Sequence, residues 1–243
     1  MTEITTESAI ELCGIAKSYG KKHVLTGLDF SVPKGSVVGL LGTNGAGKTT
    51  LIKCALGLIR PQEGDARLLG ESAWTLSGDA KMRIGYVPQI IRLYPWMKVR
   101  HLIEYTAAFY PNWNPALVAK LVQEWSIPMD DRIGPLSVGQ QQKLAILLAL
   151  GHEPELLLLD EPAASLDPLA RRQFLQMIID MAEPGKRTVL FSTHITSDLE
   201  RVADRVAILK SGRIAWCGLL DDLKEQTHVS LEESFLEMHG DAR

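Results

Sequence analysis

The segment Gly42-Thr43-Asn44-Gly45-Ala46-Gly47-Lys48-Thr49 constrains this chain more than any other. It fits the pattern GxxxxGK[ST]. It follows a short apolar run, Ser36–Leu41, and precedes Thr49–Leu58, where apolar residues recur at helical spacing. A buried strand, a glycine-rich loop and a helix in that order form the setting a phosphate-binding loop requires. The glycines let the backbone curl until its N–H groups face phosphate oxygens, and the helix start adds its positive end. Lys48 has the reach for β- and γ-phosphates, and the Thr49 hydroxyl can ligate Mg²⁺.

A second element is Leu156-Leu157-Leu158-Leu159-Asp160-Glu161-Pro162. An apolar strand ending in carboxylates delivers Asp160 to the carboxyl edge of a sheet, beside the loop, where it can hold a metal ion or its water shell. Glu161 follows directly, placed to polarise an attacking water as a general base. Strands are also expected at Ile10–Leu12, at about His23–Val32 with a turn at Thr26–Gly27, and at Thr188–Ser192 and Arg205–Leu209. Lys210-Ser211-Gly212-Arg213 reads as a hairpin turn into Ile214–Cys217. Strands alternating with helices argue for an α/β fold with a mostly parallel sheet. Between about Pro95 and Ile133, Leu102, Tyr105, Phe109, Leu117, Leu121 and Trp125 suggest two or three helices broken by Pro111, Pro115 and Pro128. The tail after Leu219 reads as amphipathic helix.

Composition sets limits on function. A net charge of −3 over 243 residues gives no surplus to neutralise a nucleic-acid backbone. Cys13, Cys54 and Cys217 are widely spaced and form no CxxC pair, so neither a disulfide framework nor a zinc site is expected. His152-Glu153 lacks the second histidine of a zinc-protease helix. The acidic, polar start does not read as a signal peptide, and apolar runs such as Ala145–Leu150 are far below the ~20 residues that span a bilayer. Any transport role is expected to need a separate membrane subunit.

A third motif narrows the field. Leu136-Ser137-Val138-Gly139-Gln140 precedes the helical run Gln141–Leu150. A Ser hydroxyl, a Gly N–H and a helix start converging there make an anion site, beside the plainer reading of Ser137 as a helix cap. With this motif the chain resembles, over nearly its whole length, the ATP-binding subunit of the ABC transporter family. LSVGQ is similar to the family signature, with Val138 where a second glycine is most frequent. Gln89 in Tyr86-Val87-Pro88-Gln89 resembles the Q-loop glutamine, Ser165-Leu166-Asp167 the D-loop, and His194 the switch histidine. Tyr19 sits where the family stacks an aromatic ring on adenine.

The resemblance implies a P-loop NTPase core with an N-terminal antiparallel β subdomain and an inserted helical subdomain. The expected division is residues 8–92 and 151–218 for the core, 93–150 for the helical part and 219–243 for the tail. It implies ATP contacts from Gly42 to Thr49, Thr50, Ser137, Gly139, Gln140 and Asp167, and Mg²⁺ held by Thr49, Gln89 and Asp160. Catalysis would fall to Glu161 as base with His194, Gln89 and Lys48.

It further implies a head-to-tail dimer, with ATP buried between the phosphate loop of one copy and the signature motif of the other. The residues support this independently: one chain offers two anion-binding helix starts, and one nucleotide reaches both only across an interface or a folded-back chain. Membrane attachment at the cytoplasmic face would run through a permease subunit, and Tyr94 and Trp96 are candidate contacts. The region between motifs is similar to the bacterial exporter branch that includes drug pumps. A soluble non-transport ABC ATPase, such as the iron–sulfur assembly type, stays open as the alternative.

Overall fold

The computed structural model describes residues 7–164, 166–181, 187–227 and 229–240. Two sheets carry it. The first is antiparallel and pairs β2 (Lys22–Pro33), β1 (Ser8–Tyr19), β4 (Glu63–Leu68) and β5 (Glu71–Ser72) in that order. The second runs β10 (Arg213–Leu219), β9 (Arg205–Lys210), β3 (Val37–Leu41), β8 (Thr188–Thr193), β7 (Leu156–Asp160), β6 (Ile84–Val87). It is parallel except for β10, which returns antiparallel along its edge.

Every residue of β3, β7 and β8 is buried, as expected of parallel strands covered on both faces. Their side chains alternate between two cores. Val37, Leu157, Leu159, Val189 and Phe191 join the core with α3 (Val99–Ala107), α4 (Pro115–Glu124), α5 (Val138–Leu150) and α6 (Pro168–Met181). Val38, Leu40, Leu156, Leu158 and Leu190 join the other, with α1 (Lys48–Ala55) and the antiparallel sheet. Gly39 lies under α7 (Thr196–Val202): a Cβ there would stand 1.9 Å from a Leu199 methyl, so only glycine lets α7 pack this close. A short α2 (Gly78–Met82) leads into β6, and α8 (Leu220–Thr227) and α9 (Leu231–Gly240) close the chain.

Several expectations shift. The turn expected at Thr26–Gly27 is a bulge inside a continuous β2, where the register steps from Ile15↔Leu28 to Lys17↔Leu25. Gly27, at φ 67°, takes up the extra residue. The first strand is much longer than Ile10–Leu12, because Leu12 and Ile15 are buried while intervening positions face outward. That alternation is interrupted by a second register shift at left-handed Gly14. Pro115 starts α4 rather than breaking a helix, at a position whose N–H would be unpaired anyway, while the Asn114 side chain caps it through Leu117 N–H. Leu102, Leu121 and Trp125 are buried as expected; Tyr105 and Phe109 are exposed. The hairpin at Ser211-Gly212 forms with both residues at positive φ, 49° and 76°.

Candidate active site

The phosphate loop lies between the C-terminal end of β3 and the start of α1, with Gly47 as the residue before the helix at φ 111°. A Cβ at Gly42 would meet the Leu209 carbonyl at 2.9 Å, so that position needs glycine for space as well as for the curl. The loop borders a cavity of about 280 Å³ lined by Asn44, Gly45, Gly47, Lys48, Thr49 and Thr50 from its own segment. Gln89 and Glu161 line it from across the sheet edge, and Lys22 and Val24 from the antiparallel sheet.

Lys48 is buried, at 5% exposure, and curls back over its own loop. Its Nζ donates to the carbonyls of Gly42 (2.7 Å) and Thr43 (3.1 Å) and lies 3.0 Å from Glu161 Oε1. The contact with Glu161 is one of charge rather than an aligned hydrogen bond, since Oε1 has no hydrogen-bond partner. Glu161 Oε2 meets His194 Nδ1 at 2.9 Å. A carboxylate can only accept, so Nδ1 carries the proton in that pair. Glu161 itself adopts φ 49°, a left-handed conformation that costs a non-glycine residue energy and aims this side chain off the strand end toward Lys48.

Asp160 is fully buried one residue earlier. Ser192, at the facing register position on β8, donates to Asp160 Oδ1 at 2.8 Å and accepts from Glu161 N–H at 2.9 Å. One hydroxyl thus fixes both carboxylate-bearing residues. Sequence reasoning passed over Ser192 as a neighbour of His194. The available signal was its place at the end of an apolar strand parallel to the one ending in Asp160. Behind Asp160, burial, with the Asp160 charge as a lesser cause, pushes the Tyr86 phenol up to about 12.

For Mg²⁺ the donor set fits. Asp160 Oδ2 is buried without a hydrogen-bond partner, and Thr49 Oγ1 lies 3.3 Å from Gln89 Oε1, giving the hard oxygen ligands this ion takes.

Other expected residues stand apart from the cavity. Ser137, Gly139 and Gln140 do not line it. Ser137 Oγ accepts from Gln140 N–H at 3.2 Å while Gln140 Oε1 accepts from Ser137 N–H at 2.9 Å, a capping box that starts α5. The plainer reading of Ser137 as a cap therefore holds, and the hydroxyl proton is still available to donate. Asp167 caps α6 through Leu169 and Ala170 N–H, and these bonds, chiefly the one from Ala170, hold its carboxyl below the usual range. Ser165 lies outside the described residues. Tyr19 is half exposed at the tip of the β1–β2 hairpin, with Lys17 Nζ 5.5 Å from its ring centre. His152, off the site, stacks on Tyr110 with centroids 4.0 Å apart. Away from the cavity, an exposed aromatic ladder runs Trp96, Tyr94, Tyr105, Phe109, with successive ring centroids 5.4, 6.5 and 5.1 Å apart.

A sequence model of the ABC transporter family matches residues 25–164, more than half the chain, spanning the phosphate loop and Asp160–Glu161. This chain belongs to that family. It is of the family's ATP-binding, ATP-hydrolysing type, and the match favours the transport reading over the soluble alternative. The Nod factor export ATP-binding protein I of Burkholderia orbicola is 38% identical over 209 residues, covering 84% of this chain and 68% of that protein. A probable multidrug ABC transporter ATP-binding protein, YbhF of Escherichia coli, is 33% identical over 97% of this chain and 42% of its own length. Among solved structures, an ATP-binding subunit of an ABC transporter superposes with a TM-score of 0.85 at 29% identity, over 96% of this chain and all of the other. The fold is thus that of the ABC ATPases, as the sequence implied. No helix among the described residues is long and apolar enough to cross a membrane.

Proposed function

We propose that this ABC subunit drives export through a separate membrane-spanning partner, by closing on a second copy around ATP and reopening when ATP is hydrolysed. The observation that carries the reading is the division of the anion-binding groups. Lys48, Thr49 and Gly47 line the phosphate cavity, whereas Ser137 and Gly139, at the start of α5, do not. A second copy brings the missing half to each nucleotide. Relatives named for Nod factor export and multidrug transport support export as the direction.

Both Glu161 oxygens are engaged, one by Lys48 and one by His194. The phosphates of ATP compete for Lys48, which frees Oε1 to accept a proton from the attacking water. His194 then orients the carboxylate through Nδ1, and Ser192 keeps Asp160 and Glu161 at fixed spacing. Thr49, Gln89 and Asp160 would hold Mg²⁺, which supplies charge neutralisation on the β- and γ-oxygens. Ser137 and the Gly139 N–H donate to the γ-phosphate of the nucleotide held by the other copy. At roughly 1.5–3 kcal/mol per charge-assisted bond, a few such contacts reach the ~5.5 kcal/mol that turns an open–closed ratio from 1:99 to 99:1. Tyr19 stacks on the adenine, and the Trp96–Tyr94–Tyr105–Phe109 ladder receives the membrane partner at the cytoplasmic face.

Two measurements test this. Chromatographic sizing of Glu161→Gln with ATP and Mg²⁺ is expected to show a dimer that Ser137→Ala in the same background abolishes; a monomer in both refutes the clamp. Affinity purification from detergent-solubilised membranes is expected to recover a multi-span protein, lost in Trp96→Ala/Tyr94→Ala. Recovery of no membrane protein by the unaltered chain refutes the transport partner.

A further inference from the structure

We propose that the groove between α6 and α7 is a second anion site, one that takes a doubly charged phosphoryl group. Three guanidinium side chains, Arg171 and Arg172 from α6 and Arg201 from α7, line a cavity of about 310 Å³ together with Ser197 and Asp198. The protein carries a net charge of −3, so a local concentration of three cations around a concavity is not a property of its surface at large.

Among the described residues, only one of the three is neutralised. The Arg171 guanidinium grips Asp198 Oδ1 through Nε (2.9 Å) and a terminal nitrogen (2.7 Å), and the Asp198 side chain is 4% exposed. That buried carboxylate fixes the Arg171 fork in place and cancels its charge. Arg172 and Arg201 have no carboxylate within ion-pair distance among the described residues. Two uncompensated, planar, five-donor groups facing one cavity match a tetrahedral dianion, to which guanidinium forks bind through paired N–H bonds. The Ser197 hydroxyl adds a neutral donor. None of these residues lines the cavity beside Lys48, so the site is separate from the nucleotide cradle. The phosphoryl group can come from a soluble ion or ester or from a lipid headgroup. The inference does not depend on the transport reading.

The probe is inorganic phosphate, followed by ³¹P line broadening as protein is added. Saturable broadening is expected to persist in Lys48→Ala, whose cradle is disabled. In Lys48→Ala/Arg172→Gln/Arg201→Gln the affinity is expected to fall by roughly a hundredfold, about tenfold for each guanidinium removed. Arg172→Lys/Arg201→Lys in the same background should lie between. If the triple variant does not fold, the Lys48→Ala/Arg172→Gln and Lys48→Ala/Arg201→Gln variants must each weaken binding about tenfold relative to Lys48→Ala. Flotation with vesicles of phosphatidic acid in phosphatidylcholine separates the sources. Arginine-dependent flotation assigns the group to lipid, and its absence alongside arginine-dependent phosphate binding assigns it to a soluble ligand. Broadening that vanishes with Lys48→Ala alone, or that ignores both arginines, overturns the proposal.

Discussion

Replacing Glu161 by Gln removes one negative charge while keeping the side chain's shape and the left-handed backbone it occupies, so the consequence is electrostatic rather than steric. Lys48 loses the one carboxylate within ion-pair distance of its ammonium among the described residues and keeps two carbonyl acceptors. Breaking a buried ion pair by removing one partner costs about 3–5 kcal/mol, and the retained carbonyls argue for the lower end. For a chain of this size 1 kcal/mol shifts the melting point by about 2–4 °C, so the ligand-free variant should melt roughly 6–12 °C below the unaltered protein. Mg-ATP should raise its melting point by more than it raises that of the unaltered protein, because the phosphates meet a lysine with no carboxylate to compete for it. Turnover should fall by about 10²–10⁴, the usual worth of a general base. Scanning fluorimetry with and without Mg-ATP reads the first two, and phosphate release the third. Equal ligand-free melting points would show that the Lys48–Glu161 contact contributes nothing. Turnover within a few-fold would remove Glu161 from the role of base.

Ser192→Ala should leave Asp160 Oδ1 and Glu161 N–H buried and unpaired, costing about 1–3 kcal/mol and most of the ATPase activity; Ser192→Thr, which keeps the hydroxyl, should recover part of both. Tyr19→Ala should raise KM for ATP with little change in kcat, while Tyr19→Trp restores it; an unchanged KM excludes stacking. Burial holds the His152 imidazole below its ordinary 6.5. The unfolded chain therefore takes up a proton first as pH falls through about 6.5, and stability drops with acidification until the folded ring also titrates. The melting point should accordingly fall less between about pH 7 and 5.5 in His152→Phe than in the unaltered protein. Burial also raises the Cys54 thiol to about 11 and raises that of Cys217, so a thiol reagent near pH 8 should modify the exposed Cys13 first, Cys217 more slowly and Cys54 only on unfolding.

The parallel sheet was legible because strands covered on both faces must be apolar throughout; Leu156–Asp160 and Arg205–Leu209 could be read directly. The phosphate loop was legible because few backbones curl around an anion, and those that do need glycine at set spacings. The antiparallel sheet was legible only in part: strands were expected within β1 and β2, but not at β4 or β5. In β4, Glu63-Gly64-Asp65-Ala66-Arg67-Leu68, only Ala66 and Leu68 face the core, and four residues of a one-sided strand read as a polar loop. β6, only four residues long, gave too few positions for a period to show. Tyr105 and Phe109 misled for the opposite reason: their helical spacing is real, yet that stripe of α3 and its continuation packs ring on ring at the surface. Within the site, Lys48, Asp160 and Glu161 followed from motif and strand order, whereas Ser192 emerged only once β7 and β8 were placed in register.

The start of α5 couples two properties that are elsewhere independent. Ser137 Oγ already receives the Gln140 N–H, and its own proton is still there to donate. Replacing Ser137 by Ala removes that proton and the cap together, at about 1 kcal/mol to the helix start, whereas Asp keeps the cap and removes only the proton. Capping and proton donation at this point share one oxygen atom, so a change at Ser137 bears on the start of α5 as well as on any acceptor placed beside it.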